Sequence, residues 1–216
     1  MRRTIVAFVG LVNLATPVAS EDYIGCSGDQ IAVIDDALRI AKDLTLKAAS
    51  TIGDTSDYQR WFGVYSDPNA EKVRANLKAV VTAMRSGGVT AQCDQIANDG
   101  CQAGEYAWVF PNRPYRMHLC PAFFNLPPLE ALRPGDRRSD NGTREGTIVH
   151  ELSHFVRVAD TEDHCYSRTE CAQMARSDAR RAIDNADSYQ YFTEDVTYFG
   201  RQPLANKPPP APRSDR

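Results

Sequence analysis

The 216-residue chain lacks several things that would fix its class at once. Basic charge is not in excess: Lys and Arg number 25 against 28 Asp and Glu, a formal net charge of −3. No global positive field therefore invites nucleic acid. Beyond the N-terminal segment no run approaches 18 apolar residues, so no later membrane span is expected. None of the six cysteines forms a Cys-x-x-Cys pair, which argues against a cysteine zinc ribbon. Internal repeats are absent, and histidine is scarce, at four residues. A hydrophobic fraction of 42% with 25% charged residues excludes a wholly disordered chain, a coiled coil or a collagen-like repeat. One compact domain with a real core fits that length.

What is present begins with an address. Met1-Arg2-Arg3 precedes an apolar stretch, Thr4 to Leu14, and small residues follow at Val18-Ala19-Ser20. This is the pattern of a signal peptide, with cleavage expected after Ser20 or one residue earlier. The expected organisation is residues 1–20 as leader, 21–200 as one folded domain, and 201–216, rich in Pro, as a disordered tail. The expected location is extracellular, or periplasmic in a bacterium, with no membrane attachment once the leader is removed. In an oxidising compartment Cys26, Cys93, Cys101, Cys120, Cys165 and Cys171 are expected to form three disulfides, and spacing alone leaves fifteen connectivities open.

Periodicity predicts helices over 29–49, over 57–62 with closure at Gly63, and from Asp67 as N-cap, with Pro68 at the first helical position, to Ser86-Gly87-Gly88. Strands are predicted over 105–110 and 115–119, with Tyr115, Met117 and Leu119 on one face and Arg116 and His118 on the other. A polar loop over 133–142 leads to a helix over 147–158. A capping box at Ser167-Arg168-Thr169-Glu170 starts another helix reaching about Asp184, and a last helix is read over 189–199. His118 reads as a solvated strand face, Trp61 and Trp108 as core. Asn141-Gly142-Thr143 is a glycosylation sequon in an expected surface loop.

The chemistry is concentrated in His150-Glu151-Leu152-Ser153-His154, an HExxH. With four His and nine Glu in the chain, chance placement yields roughly 0.003 such matches. On a helix, residues four apart share a face, so both imidazoles can reach one ion, and Glu151 flanks that face. Ile148, Leu152, Phe155 and Val156 lie mainly on the other side, as anchors. Catalytic zinc takes a third protein ligand. The HExxHxxGxxH extension needs glycine at 157 and histidine at 160, but the chain has Arg157 and Asp160. Glu170 is placed as a thermolysin-type ligand would be, yet already fits the capping box. Asp160, Asp163 and His164 remain.

His150 to His154 followed by Thr161, Asp163 and Tyr166 resembles the aspzincin motif, that of the deuterolysins and the fungal peptidyl-Lys metalloendopeptidases. Asp160 stands where the motif has glycine, a position favouring φ > 0, which aspartate adopts less readily. Tyr58-Gln59-Arg60-Trp61-Phe62-Gly63, Tyr106-Ala107-Trp108-Val109, Leu119-Cys120-Pro121-Ala122-Phe123-Phe124 and Asn185-Ala186-Asp187 resemble further blocks of that family. The resemblance implies an α+β, predominantly helical zincin-like domain with a small antiparallel sheet. It implies one Zn²⁺ per chain held by His150, His154 and Asp163, Glu151 as general base and Tyr166 as oxyanion donor. It also implies disulfides Cys26–Cys93 and Cys101–Cys120. Cys165 and Cys171 are left and, being close, are expected to pair. His164, beside Asp163, is then expected to face solvent or lie just behind the ligands.

In the Lys-specific members two carboxylates bind the lysine after the cut, and their register falls on Asp187 and Gln190. One carboxylate of the two gives a modest preference for a basic residue, not strict lysine specificity. The plain alternative is that Asp187 caps the last helix. The expected function is a secreted zinc endopeptidase, monomeric, acting on proteins or peptides through a Glu-activated water. Two alternatives are a non-catalytic exported binding module that keeps the fold and a zinc hydrolase acting on a non-protein amide.

Overall fold

A computed structural model of the chain describes residues 22–85, 88–96, 100–133, 135–136 and 140–199. The expected leader, the 201–216 tail and parts of the 86–87 and 133–142 loops lie outside the described residues. In order come β1 (Asp22–Ile24), α1 (Gly28–Ser50), α2 (Ser56–Phe62), α3 (Asp67–Arg85), β2 (Thr90–Cys93), β3 (Ala107–Val109), β4 (Arg116–Leu119), α4 (Arg144–His154), α5 (Arg168–Ser177), α6 (Ala179–Ile183) and α7 (Ala186–Thr197). The architecture is α+β, largely helical, with one four-stranded sheet.

Helix starts follow local chemistry. Ser27 and Gln30 form a reciprocal capping box at α1. Thr55, Thr143 and Ser167 each accept one backbone N–H at the starts of α2, α4 and α5. Asp67 is not the cap of α3 as expected: it is the first helical residue, and Ser66 accepts the N–H of Asn69. Gly63 ends α2 at φ 79°, where a Cβ would lie 2.8 Å from that of Ala179, so α2 meets the α5–α6 junction closely.

The predicted single helix over 168–184 is two, because Asp178 breaks it and caps α6 through the N–H of Arg181. The helix read over 147–158 runs instead from Arg144 to His154, since Phe155 is extended (φ −61°, ψ 129°). Val156 accordingly falls in a turn and is 50% exposed, not an anchor, whereas Ile148, Leu152 and Phe155 are fully buried.

The sheet order is β1-β2-β4-β3. β3 and β4 are antiparallel, as expected, but β1–β2 and β2–β4 are parallel, so the sheet is mixed. β1 and β2 carry too few apolar residues to announce themselves as strands. The tie between them is covalent: Cys26 bonds Cys93. Cys101–Cys120 and Cys165–Cys171 complete the pairing, and no cysteine is free.

His118 departs from expectation. It is 6% exposed, bonded through Nδ1 to Asp94 (2.8 Å) and stacked on Trp108 with ring centroids 3.7 Å apart. A neighbouring indole and a carboxylate make that strand face habitable for a polar ring. Trp108 is correspondingly half-buried on β3, while Trp61 is core.

α1 lies against α3, α4 and α7, and α4 packs along α7. Ile34, Leu38, Leu77, Val80, Ile148, Leu152, Tyr189 and Phe192 belong to one continuous core. Gly146 lets α4 and α7 approach: a Cβ there would meet Glu194 Oε1 and stand 2.8 Å from Gln190 Cγ. Beneath this contact Arg168 pairs with Glu194 and with Asp195 (2.6 Å). Thr143 donates to Glu194 (2.8 Å), and the Trp61 indole donates to Asp195 (2.9 Å). A buried charge cluster thus fixes the start of α4 against α5 and α7.

Candidate metal centre and catalytic cleft

Because α4 puts His150 and His154 one turn apart, their Nε2 atoms lie 3.0 Å from each other. Asp163 Oδ1 lies 3.3 Å from one and 3.5 Å from the other. The sequence-predicted trio is therefore brought together, from a helix and the strip beyond it. Both tautomers follow from the neighbours. His154 Nδ1–H donates to the carbonyl of Thr161 (2.7 Å), which can only accept. His150 Nδ1–H donates to Asp187 Oδ1 (2.7 Å). Each Nε2 consequently presents a lone pair, and two such nitrogens repel unless a proton or cation lies between them. Ligand bonds of 2.0–2.1 Å in a tetrahedron give edges of about 3.3 Å, so this donor set fits zinc. The orienting partners behind the histidines are those a metal site needs.

The strip carrying Asp163 is built by backbone bonds. After α4 the N–H groups of Val158, Ala159 and Asp160 all turn back to the carbonyl of Phe155. Asp160 takes φ 53°, so aspartate does adopt the left-handed conformation expected for the glycine it replaces. Thr161 then clamps the strip to α4. Its N–H bonds the carbonyl of Ser153 (3.3 Å), and its hydroxyl meets that of Ser153 (2.7 Å). Asn185 holds the far side, its Oδ1 accepting from the N–H groups of His164 (2.8 Å) and Cys165 (3.1 Å). The pairing of Glu162 with the backbone around Asn185 completes the hold. Neither Asn185 nor the His150 partnership of Asp187 was identified from the sequence. The only signal was the Asn-Ala-Asp block itself.

Glu151 is 5% exposed and lines the cleft beside the trio. Burial first, and the carboxylates of Asp163, Glu105 and Asp187 next, push its carboxyl up to about 7, against the opposing pull of His150. Burial disfavours the His150 imidazolium, but its bonds to Asp163 and Asp187 outweigh that and hold it well above the usual histidine value. His154, buried and beside His150, is lowered. Asp163 is held low despite burial by His150, His154 and the phenol of Tyr166. Tyr166, 64% exposed at the cleft, is raised to about 12 by partial burial and the Asp163 charge, so its hydroxyl keeps its proton and can donate.

The cleft has a volume of about 850 Å³ and runs between β3, α4, the 160–166 strip and α7. Asp187 and Gln190 both line it. Asp187 neither caps α7 through its side chain nor stands free as an expected lysine ligand: it is buried and bonded to His150. Gln190 is buried in the wall opposite Gly142 and Gly146. His164 is not in the trio: its Nε2 bonds Asp184 (3.1 Å). Thr143 of the sequon is a fully buried helix cap, and Asn141 lies at the cleft rim.

A family of lysine-specific metallo-endopeptidases matches the chain over residues 47–194. An extracellular protease of Aeromonas hydrophila is 31% identical over 168 residues, covering 78% of this chain and 44% of that protein. A peptidyl-Lys metalloendopeptidase of Pleurotus ostreatus is 31% identical over 176 residues, covering 80% and 95%. The chain therefore spans less than half of the first relative and nearly all of the second. Among solved structures, a zinc peptidase from Grifola frondosa superposes with a TM-score of 0.67 at 27% identity, covering 79% of this chain and 98% of that one.

Proposed function

The chain belongs to the aspzincin family of lysine-specific metallo-endopeptidases, and from that premise we propose that it is an exported zinc endopeptidase acting on proteins or peptides. The observation that carries this reading is the convergence of three metal-competent atoms, 3.0, 3.3 and 3.5 Å apart, beside a buried carboxyl poised near neutrality in an open cleft. His150, His154 and Asp163 would hold one zinc ion per chain. Bound there, zinc supplies Lewis acidity toward a carbonyl and lowers the pKa of a water toward ~7.

The protein's own groups do the rest. Glu151 accepts a proton from the attacking water and delivers it to the leaving amine, a task suited to a carboxyl whose pKa lies near working pH. The Tyr166 hydroxyl, already a donor to the Asp163 carboxylate, turns to the oxygen that gains negative charge. Asp187 and Thr161 O keep both imidazoles in the ligating tautomer. Export is supported by the leader pattern of residues 1–20 and by the full use of cysteine in disulfides.

A basic preference after the cut rests on the cleft as a whole. Glu105, Asp140, Asp160 and Glu162 line it in addition to Glu151, Asp163 and Asp187, and no lysine or arginine does so among the described residues. Since Asp187 is engaged by His150 and Gln190 is neutral, the preference is graded and not absolute. Incubation of the purified protein with a diverse peptide mixture, with and without chelator, tests the reading by mass spectrometry of the products. Chelator-sensitive cleavage, enriched for Lys and Arg after the cut, is expected. Background turnover that is equal for wild type and Glu151→Gln leaves a binding module in its place.

A further inference from the structure

A second cavity, of about 690 Å³, opens on the other side of the ligand strip. It is lined by Lys72 from α3, by Arg180 and Arg181 from α6, and by His164 and Asp160 from the strip. Asp160 also lines the catalytic cleft, so the two hollows adjoin. Their charges are opposed: among the described residues the cleft is lined by carboxylates and by no cationic side chain but histidine, whereas this cavity gathers two arginines and a lysine in an acidic protein.

The cations are presented in two ways. Arg181 Nη2 donates to His164 Nδ1 (3.4 Å), and His164 passes the polarity on by donating from Nε2 to Asp184 (3.1 Å). Asp184 is thereby occupied. Lys72 and Arg180 form no side-chain hydrogen bond or ion pair among the described residues, although Asp160 and Asp184 line the same cavity. Unpaired cations facing one concavity from two helices make a place for an anion, with a guanidinium suited to a carboxylate.

We propose that this cavity is a second substrate subsite that binds a carboxylate, the side chain of a Glu or Asp some residues away from the scissile bond. The inference rests on the peptidase reading for the source of the carboxylate, not for the cation cluster. Such a subsite selects peptides that are basic next to the cut and acidic at a distance, and the opposed fields of the two hollows orient the chain along the cleft.

Matched peptides test this. A fixed cleavable core carries Glu or the isosteric Gln at each position from the third to the sixth on either side. In wild type one position is expected to favour Glu by about 3- to 10-fold in kcat/KM at low salt, fading toward unity at high salt. Lys72→Ala/Arg180→Ala, both exposed positions, should abolish that ratio and leave the Gln peptide unchanged. Arg180→Glu should invert it, favouring Gln over Glu at that position. A flat profile in wild type, or a ratio that the double variant retains, overturns the proposal.

Binding of the same peptides to Glu151→Gln, read by fluorescence anisotropy, separates the two claims. Glu-dependent binding that needs Lys72 and Arg180, without hydrolysis by wild type, keeps the subsite and removes the peptidase reading. Hydrolysis without discrimination does the opposite. Succinate distinguishes the sources: it should compete with the Glu peptide alone, and binding of succinate with no Glu preference in peptides assigns the cavity to a free anion and overturns the substrate role.

Discussion

Glu151 and Asp187 are both buried carboxyl groups in the cleft wall, yet their surroundings give them opposite duties. Asp187 has a fixed partner in His150 Nδ1; Glu151 has no such donor and is pushed up to about 7 by burial. Replacement by the isosteric amide separates the duties. Glu151→Gln should reduce hydrolysis by at least ~10²-fold, the scale of general-base loss, while metal content by atomic absorption stays at the wild-type level. Asp187→Asn can no longer stabilise the His150 tautomer by charge, and should weaken metal affinity by about 10- to 100-fold. Competition with a chromogenic chelator measures that directly, and an unchanged affinity would show that the bond is incidental.

At the scale of elements, the ligand strip depends on two clamps, Thr161 on one side and Asn185 on the other. Asn185 is fully buried and its Oδ1 takes two backbone N–H groups. Asn185→Ala strands both donors, at a cost of about 1–3 kcal/mol for each left unsatisfied. Urea unfolding should show the loss, together with a weaker metal site, because Asp163 lies one residue before His164. The sequence made the helices legible, along with the HExxH spacing, since each is a local pattern. It did not reveal that α4 stops at His154: that end is set by the turn onto Phe155 O and by Thr161, contacts made only after the chain has doubled back. The parallel pairing of β1 with β2 was equally hidden, joining residues 22–24 to residues 90–92 through backbone groups. His118 was misread because a period-two pattern shows which residues share a face and not whether an indole covers that face. The Asp187–His150 bond spans 37 positions, beyond any local signal, and so the sequence offered only a lysine ligand or a helix cap as readings of Asp187.

For the molecule as a whole, stability should respond to metal and to pH through different parts. A cation bridging α4 and the 160–166 strip binds only the folded chain, so chelation should lower Tm; saturation a thousandfold above Kd corresponds to about 4 kcal/mol. A Tm indifferent to chelator would argue against such a bridge. The pH response centres on Arg168, whose one guanidinium faces both Glu194 and Asp195. Burial holds Glu194 up to about 7 against its ordinary 4.5. A carboxyl raised in the folded state stabilises fully below its unfolded pKa, and that contribution is lost as pH rises through about 7. Between pH 5 and 8 the fall in Tm should therefore be shallower in Glu194→Gln than in wild type.

Gly146 places a boundary on how this protein could be hardened. Replacing a helical glycine by alanine is a standard stabilising substitution, worth roughly 0.5–1 kcal/mol inside an unobstructed helix. In α4 the added methyl would collide with Glu194 and Gln190, and the helix could accept it only by lifting off α7. His150 rides one turn further along the lifted segment, anchored to Asp187 on the helix it leaves. Thermostability screens that reward helix formers should thus recover Gly146→Ala, if at all, only among variants that have lost turnover.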